Sequence, residues 1–244
     1  MNEDDARRQL AEVCRLAYTR GLLCGVEGNL SIRLSEHRLL STPAGTCKGR
    51  LDPSDMVLTD LSGEAIASDH QGKKAQQPAR PSTELKMHLV VYRKRPDISA
   101  IVHAHPSTAI GFTVAGLSLE KCILPEIVCT FGTIPTAPYA TPSTDEVPDS
   151  IQDLVDNHDA MLLDHHGALT MGGDIWQAFY KMEMLESYAR TMLVAHLLGG
   201  ARPLAACQVK KLIDIRDVYG LKMPLAVEKL LSPQMCGPDP EFGS

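Results

Sequence analysis

The run Ser99-Ala100-Ile101-Val102-His103-Ala104-His105 constrains this chain more than any other. It reads as a strand, because it is apolar, rich in β-branched residues and closed by Pro106. Side chains two apart on a strand share a face. His103 and His105 therefore project together from one surface, and two neutral imidazoles at that spacing make a bidentate claw for a zinc-like ion. A lone His-x-His is more often a polar or packed pair. The metal reading therefore needs a third ligand from elsewhere in the chain.

The surrounding sequence gives a mixture of helices and strands. Residues 3–20 read as a helix with Leu10, Val13, Cys14 and Ala17 on one face and Gly21 as its stop. Gly25–Asn29 is a Gly-rich turn before two strands, 30–34 and 38–42, with a further strand at 56–61. After a polar loop over 68–81, Ser82 or Thr83 caps a helix running to about Arg95, with Glu84 in its first turn. Pro106-Ser107-Thr108 opens the next helix, a Pro-rich stretch covers 125–148, and a helix follows from Thr144-Asp145-Glu146 to about Asn157. A buried strand at 159–164 pairs with 168–171 across His165-His166-Gly167. Asp174 caps a long helix ending at Gly199-Gly200, and a last helix spans about 207–219. Without regular βαβ alternation, this is a single α/β or α+β domain.

The His165-His166-Gly167 turn supplies the third imidazole. Three protein ligands leave an open coordination position, as a catalytic metal needs. Spacing alone leaves His165 and His166 as rivals, and His37, His70, His88, His158 and His196 read as surface or packing residues. A carboxylate such as Glu84 at a helix start is usually only a dipole partner. Here Ser82, Thr83 and the free N–H groups of the helix start make a natural phosphate site, and Gly28-Asn29 and Ala44-Gly45 are loops whose backbone can approach an anion.

Composition narrows the classes. In 244 residues, 44% hydrophobic and 22% charged, there is enough apolar surface for a core, and a net charge of −6 excludes a general nucleic-acid binder. Seven scattered cysteines without a C-x-x-C pair read as reduced thiols, the charged first 20 residues lack a signal-peptide core, and no run of 18 apolar residues marks a membrane span. A cytoplasmic enzyme is expected.

Together these segments resemble the class II aldolase/adducin family. The resemblance rests on Glu27-Gly28-Asn29-Leu30-Ser31, Ser41-Thr42-Pro43-Ala44-Gly45, Pro81-Ser82-Thr83-Glu84, Val102–His105, Ala137-Pro138-Tyr139-Ala140-Thr141, His165-His166-Gly167 and Tyr219-Gly220-Leu221, in order along residues 5–222. It implies a central, mainly antiparallel sheet flanked by helices, with a tail over 223–244 that has no catalytic role. It implies His103, His105 and His166 as ligands of Zn2+, or of Mn2+, Fe2+ or Co2+; Glu84 as acid/base; and Gly28, Asn29, Gly45, Ser82 and Thr83 as phosphate-binding. Tyr219 would reach a neighbouring subunit's site in a homotetramer. The implied activity is reversible cleavage of a ketose 1-phosphate, of deoxy-pentulose or deoxy-hexulose type, to dihydroxyacetone phosphate and an aldehyde. A pentulose-5-phosphate 4-epimerase or a related decarboxylase is the alternative. Two departures stand out. Ala44 replaces a threonine of the phosphate loop, and no tyrosine stands near Pro125-Glu126, where the family's aldolases carry one.

Overall fold

A computed structural model describes residues 1–66, 80–216 and 227–238. Seven strands form one sheet in the order β3-β2-β1-β4-β7-β6-β5. They are β1 (Asn29–Ser35), β2 (Arg38–Ser41), β3 (Val57–Thr59), β4 (Ala100–Ala104), β5 (Thr136–Ala137), β6 (Ala160–Leu163) and β7 (Gly167–Gly172). Neighbours run antiparallel except β5 and β6, which are parallel. The mainly antiparallel sheet expected above is therefore the one observed.

Strand β4, which carries the His-x-His pair, lies in the middle between β1 and β7, and all its residues are buried. A strand with cover on both faces needs apolar residues at every position, which explains the unbroken Ala-Ile-Val run. Alternation then divides the core. Ala100, Val102 and Ala104 join one apolar cluster with α1 (Glu3–Thr19), α3 (Ser107–Val114) and α6 (Ile175–Leu197). Ile101 joins a second with α2 (Leu85–Lys94) and α5 (Glu146–Val155). His103 follows Ile101 by two residues and so faces α2.

Helix ends follow local chemistry. Asn2 caps α1 by accepting from the Asp5 N–H at 2.8 Å, and Asp174 caps α6 by accepting from the Gln177 N–H at 2.8 Å. Helix α6 ends as Gly199 and Gly200 take positive φ.

The Pro-rich stretch 125–148 contains α4 (Pro125–Thr130) and β5 besides the start of α5. Pro125 is no breaker there. It occupies the first helical turn, where its missing N–H is not needed and its fixed φ suits the helix. Ile127 and Val128 supply the buried side. Helix α7 (Ala206–Arg216) packs on α4, and the end expected for it near 219 lies outside the described residues. Of the tail, 227–238 are described and include α8 (Val227–Leu230). Leu230, Met235 and Cys236 pack there with Cys122, Val128 and Val209. None of the seven cysteines forms a disulfide. Among the described residues no helix is long and apolar enough to cross a membrane.

Candidate active site

Strand pairing brings three histidines to one point. His103 is the last residue but one of β4, and its Nδ1–H donates to the Ala168 carbonyl on β7, 3.0 Å away. That bond fixes the tautomer and leaves the Nε2 lone pair facing the centre. His105 lies just past β4, where its backbone N–H is held by the Leu22 carbonyl at 2.9 Å. His166 enters from the β6–β7 turn. The three ring centroids are 5.0, 4.9 and 5.1 Å apart, and the Nε2 atoms of His103 and His105 are 3.3 Å apart. Two nitrogens at ~2.0–2.1 Å from one tetrahedral ion stand about 3.3 Å from each other, so this spacing fits a shared cation.

The turn decides between the two candidate third ligands. His165 takes a left-handed φ of 55° and points its ring at Asp164, with Nδ1 2.9 Å from Oδ1. His166 is thereby turned inward. Gly167 completes the arrangement by having no side chain: a Cβ there would lie 2.7 Å from the Ala104 oxygen, 2.9 Å from His103 Cε1 and 3.1 Å from His105 Cδ2.

Glu84 closes the group. Its Oε1 is 3.0 Å from His166 Nε2 and its Oε2 3.5 Å from His103 Nε2. The sequence put Ser82 or Thr83 at the cap of α2 and Glu84 inside its first turn. In the structure Glu84 itself is the N-cap residue, and its side chain makes no capping bond because it turns to the histidines. Burial alone would raise its pKa, but the His103 and His166 rings hold the carboxyl well below the usual range. His105 is pushed down to about 3 by burial, with His103 and His166 adding to it, so its ring is neutral at ordinary pH. Three imidazoles and one carboxylate are the donor set that zinc and the later divalent transition metals favour.

Three further residues near the centre were given no role at the site from the sequence. Glu27 Oε2 lies 3.3 Å from His105 Nδ1, while its Oε1 accepts from the Cys24 N–H. Lys48 is buried, donates from Nζ to the Val26 carbonyl at 2.6 Å, and has its pKa lowered by burial. His88, taken as an ordinary histidine, is wholly buried on α2 and pushed down to about 3 mainly by burial. Its signal was present all the same: Glu84, His88 and Tyr92 recur at helical spacing.

The loops at 28–29, 43–45 and 80–83 lie together. Pro43 and Pro81 form a bridge, the Ala44 N–H donates to the Arg80 carbonyl at 2.9 Å, and the Leu30 N–H donates to Thr42 Oγ1 at 3.2 Å. Gly45 has φ +64° with open space beside it. Asn29 is buried and its Oδ1 has no partner among the described residues. Gly28 also answers a packing need, since at φ +69° a Cβ would stand 2.4 Å from Leu23 Cδ2 and 2.8 Å from the His103 oxygen. Ser82 Oγ accepts from the Glu84 N–H, and Thr83 Oγ1 lies 2.8 Å from Ser143 Oγ. Tyr219 lies outside the described residues. Glu126 is exposed in the first turn of α4.

Residues 8–193 match the family described as Class II Aldolase and Adducin N-terminal domain. The chain belongs to this family. Among its relatives, the 3-oxo-tetronate 4-phosphate decarboxylase of Escherichia coli (strain K12) is 30% identical over 88% of this chain and 97% of that protein. The L-fuculose phosphate aldolase of Methanococcus maripaludis (strain C7) is 32% identical over 73% of this chain and 91% of its own. A solved structure of L-fuculose 1-phosphate aldolase superposes with a TM-score of 0.77 at 25% identity, covering 88% of this chain and 96% of that one. The chain is thus an enzyme of the class II aldolase superfamily, of lyase or decarboxylase type, with a three-histidine cluster able to hold a metal ion.

Proposed function

We propose that this protein is a divalent-metal-dependent aldolase, most simply zinc-dependent, that cleaves a ketose 1-phosphate reversibly to dihydroxyacetone phosphate and an aldehyde. The observation that carries this reading is the Glu84 carboxylate set against His103 and His166 in one buried cluster. His103, His105 and His166 would hold the cation. When bound, it supplies the positive charge that stabilises negative oxygen as the carbon–carbon bond breaks.

The electron pair of that bond ends on the triose-phosphate half, where one carbon must then gain a proton. Glu84 is placed to deliver it in cleavage and to remove it in synthesis. Gly28, Asn29, Gly45, Ser82 and Thr83 take the phosphate, through backbone N–H groups, the Asn29 amide NH2 and the two hydroxyls. Tyr219 shapes the aldehyde pocket from a neighbouring subunit of a homotetramer. The scattered thiols, none in a C-x-x-C pair, support a cytoplasmic enzyme.

The test uses dihydroxyacetone phosphate alone in D2O. Metal-loaded protein should exchange one carbon-bound proton for deuterium, read by NMR. Glu84→Gln should lose that exchange by a factor on the order of 10²–10⁴, and chelation should abolish it. Exchange that survives in Glu84→Gln removes Glu84 from the mechanism, and exchange that survives chelation removes the metal.

A second reading is decarboxylation of a phosphorylated 3-oxo acid, which leaves the same triose-phosphate half to be protonated. Two observations favour it. No phenol stands near Pro125-Glu126, where the family's aldolases carry the tyrosine that exchanges a proton with the aldehyde oxygen, and the match to the decarboxylase relative covers more of both chains. Carbon dioxide released from 3-oxo-tetronate 4-phosphate, without cleavage of ketose 1-phosphates, would select it.

A further inference from the structure

Glu84, His88 and Tyr92 are spaced four residues apart, so they line one face of α2 and its cap. Strand β1 presents alternate residues Asn29, Ser31 and Arg33 to that face. The two polar columns meet in a dry interface. Ser31 Oγ lies 2.7 Å from His88 Nδ1 and 2.8 Å from the Tyr92 hydroxyl. Ser31 and His88 are fully buried and Tyr92 nearly so. Arg33 stacks over the Tyr92 ring with its guanidinium carbon 4.8 Å from the centroid, and it also donates to the Tyr92 carbonyl.

Three protons, on Tyr92 Oη, Ser31 Oγ and one ring nitrogen of His88, share two hydrogen bonds, so every assignment leaves one over. Among the described residues the Tyr92 hydroxyl has one hydrogen-bond neighbour, Ser31 Oγ, and uses its proton by donating to it. The assignment that uses both hydroxyl protons has Ser31 donate to His88 Nδ1 and puts the ring proton on Nε2. Each alternative leaves a hydroxyl proton over instead. The remaining atoms are complementary: a donor at His88 Nε2 and an acceptor at Asn29 Oδ1, both buried and without a partner among the described residues.

The network also sits where register matters. On β1, Asn29 pairs with His103 and Ser31 with Ile101. The Ser31–His88 bond therefore ties helix to sheet two residues from a metal-cluster histidine and one helical turn from Glu84. We propose that the Tyr92–Ser31–His88 chain is a positioning device: it locks His88 in its Nε2–H tautomer and fixes α2 on β1, so that Glu84 meets His103 and His166 at its working distance. The role assigned to Glu84 under the proposed function is the premise. His88 acts through Glu84 and touches no reacting atom.

Two measurements test it. In metal-free protein, nitrogen-15 NMR of the His88 ring should show a single neutral Nε2–H tautomer, and Ser31→Ala should turn it into a tautomer mixture. In metal-loaded protein, Ser31→Ala should slow deuterium exchange into dihydroxyacetone phosphate by a factor on the order of 10–100. Metal affinity should be unchanged and Ser31→Thr should restore the rate. Tyr92→Phe, which removes one hydroxyl and keeps the ring, gives the same direction of change if Ser31→Ala folds poorly. A single tautomer persisting in Ser31→Ala, or a Thr variant as slow as the Ala variant, overturns the proposal. If the wild-type protein exchanges no proton, the acid–base reading of Glu84 falls and the positioning role falls with it. The NMR arm then judges the tautomer lock on its own.

Discussion

Replacing Gly167 by alanine should weaken metal binding as well as the fold. The added Cβ would stand 2.9 Å from His103 Cε1, 3.1 Å from His105 Cδ2 and 2.7 Å from the Ala104 oxygen, where ordinary contact begins at 3.4 Å. Relief requires His103 to retreat by about 0.5 Å and His105 by about 0.3 Å, because the interior is too closely packed to absorb the methyl group elsewhere. Metal–ligand distances tolerate only about ±0.2 Å. Both imidazoles would leave that window together. Changes next to a ligand typically cost 10- to 100-fold in metal affinity, equivalent to about 1.4–2.7 kcal/mol. Overpacking of this size costs the fold about 1–3 kcal/mol. Gly173→Ala is the matched control, since its Cβ would meet only the Gln177 side chain, at 3.4 Å or beyond. Chelator competition gives the affinities, and thermal unfolding with and without metal gives the stabilities. A Gly167→Ala protein that binds metal as tightly as wild type would refute the claim that this glycine makes room for the ligands.

Two other outcomes follow from the same coordinates. His88 is held neutral, with its pKa pushed to about 3 against an ordinary 6.5. The unfolded chain therefore binds the proton first as pH falls, and the contribution of His88 to stability, complete above pH ~6.5, should decline by up to about 1.4 kcal/mol per pH unit below it. Urea unfolding of metal-free wild type and His88→Gln at pH 7 and pH 5 should show the gap between them narrowing; an equal gap at both pH values contradicts a buried neutral ring. Asp174→Ala removes the acceptor for the Gln177 N–H at the start of α6 and should cost about 1 kcal/mol without changing metal affinity.

Much of the fold was legible in the sequence because its signals are local. The Asp174 cap, the glycines after α6 and the apolar periodicity of α1 each act within one or two turns of chain. Where a local signal has two meanings, the sequence does not choose between them. Pro125 resembles a loop marker until the Ile127-Val128 pair is seen to have a surface to pack against.

The sequence by itself determined the chemical inventory: paired imidazoles on one strand face, a His-His-Gly turn, and a carboxylate at a helix start. Tertiary structure alone decided which of these meet. His103 and His166 converge because β4 pairs with β7 and β7 with β6. The choice of His166 over His165 came from a left-handed backbone at residue 165, which no spacing encodes. Glu84, His88 and Tyr92 became a buried polar column only when α2 was laid on β1. Side-chain identity is carried by the chain, but which groups share a dry interior is set by contacts between residues far apart along it.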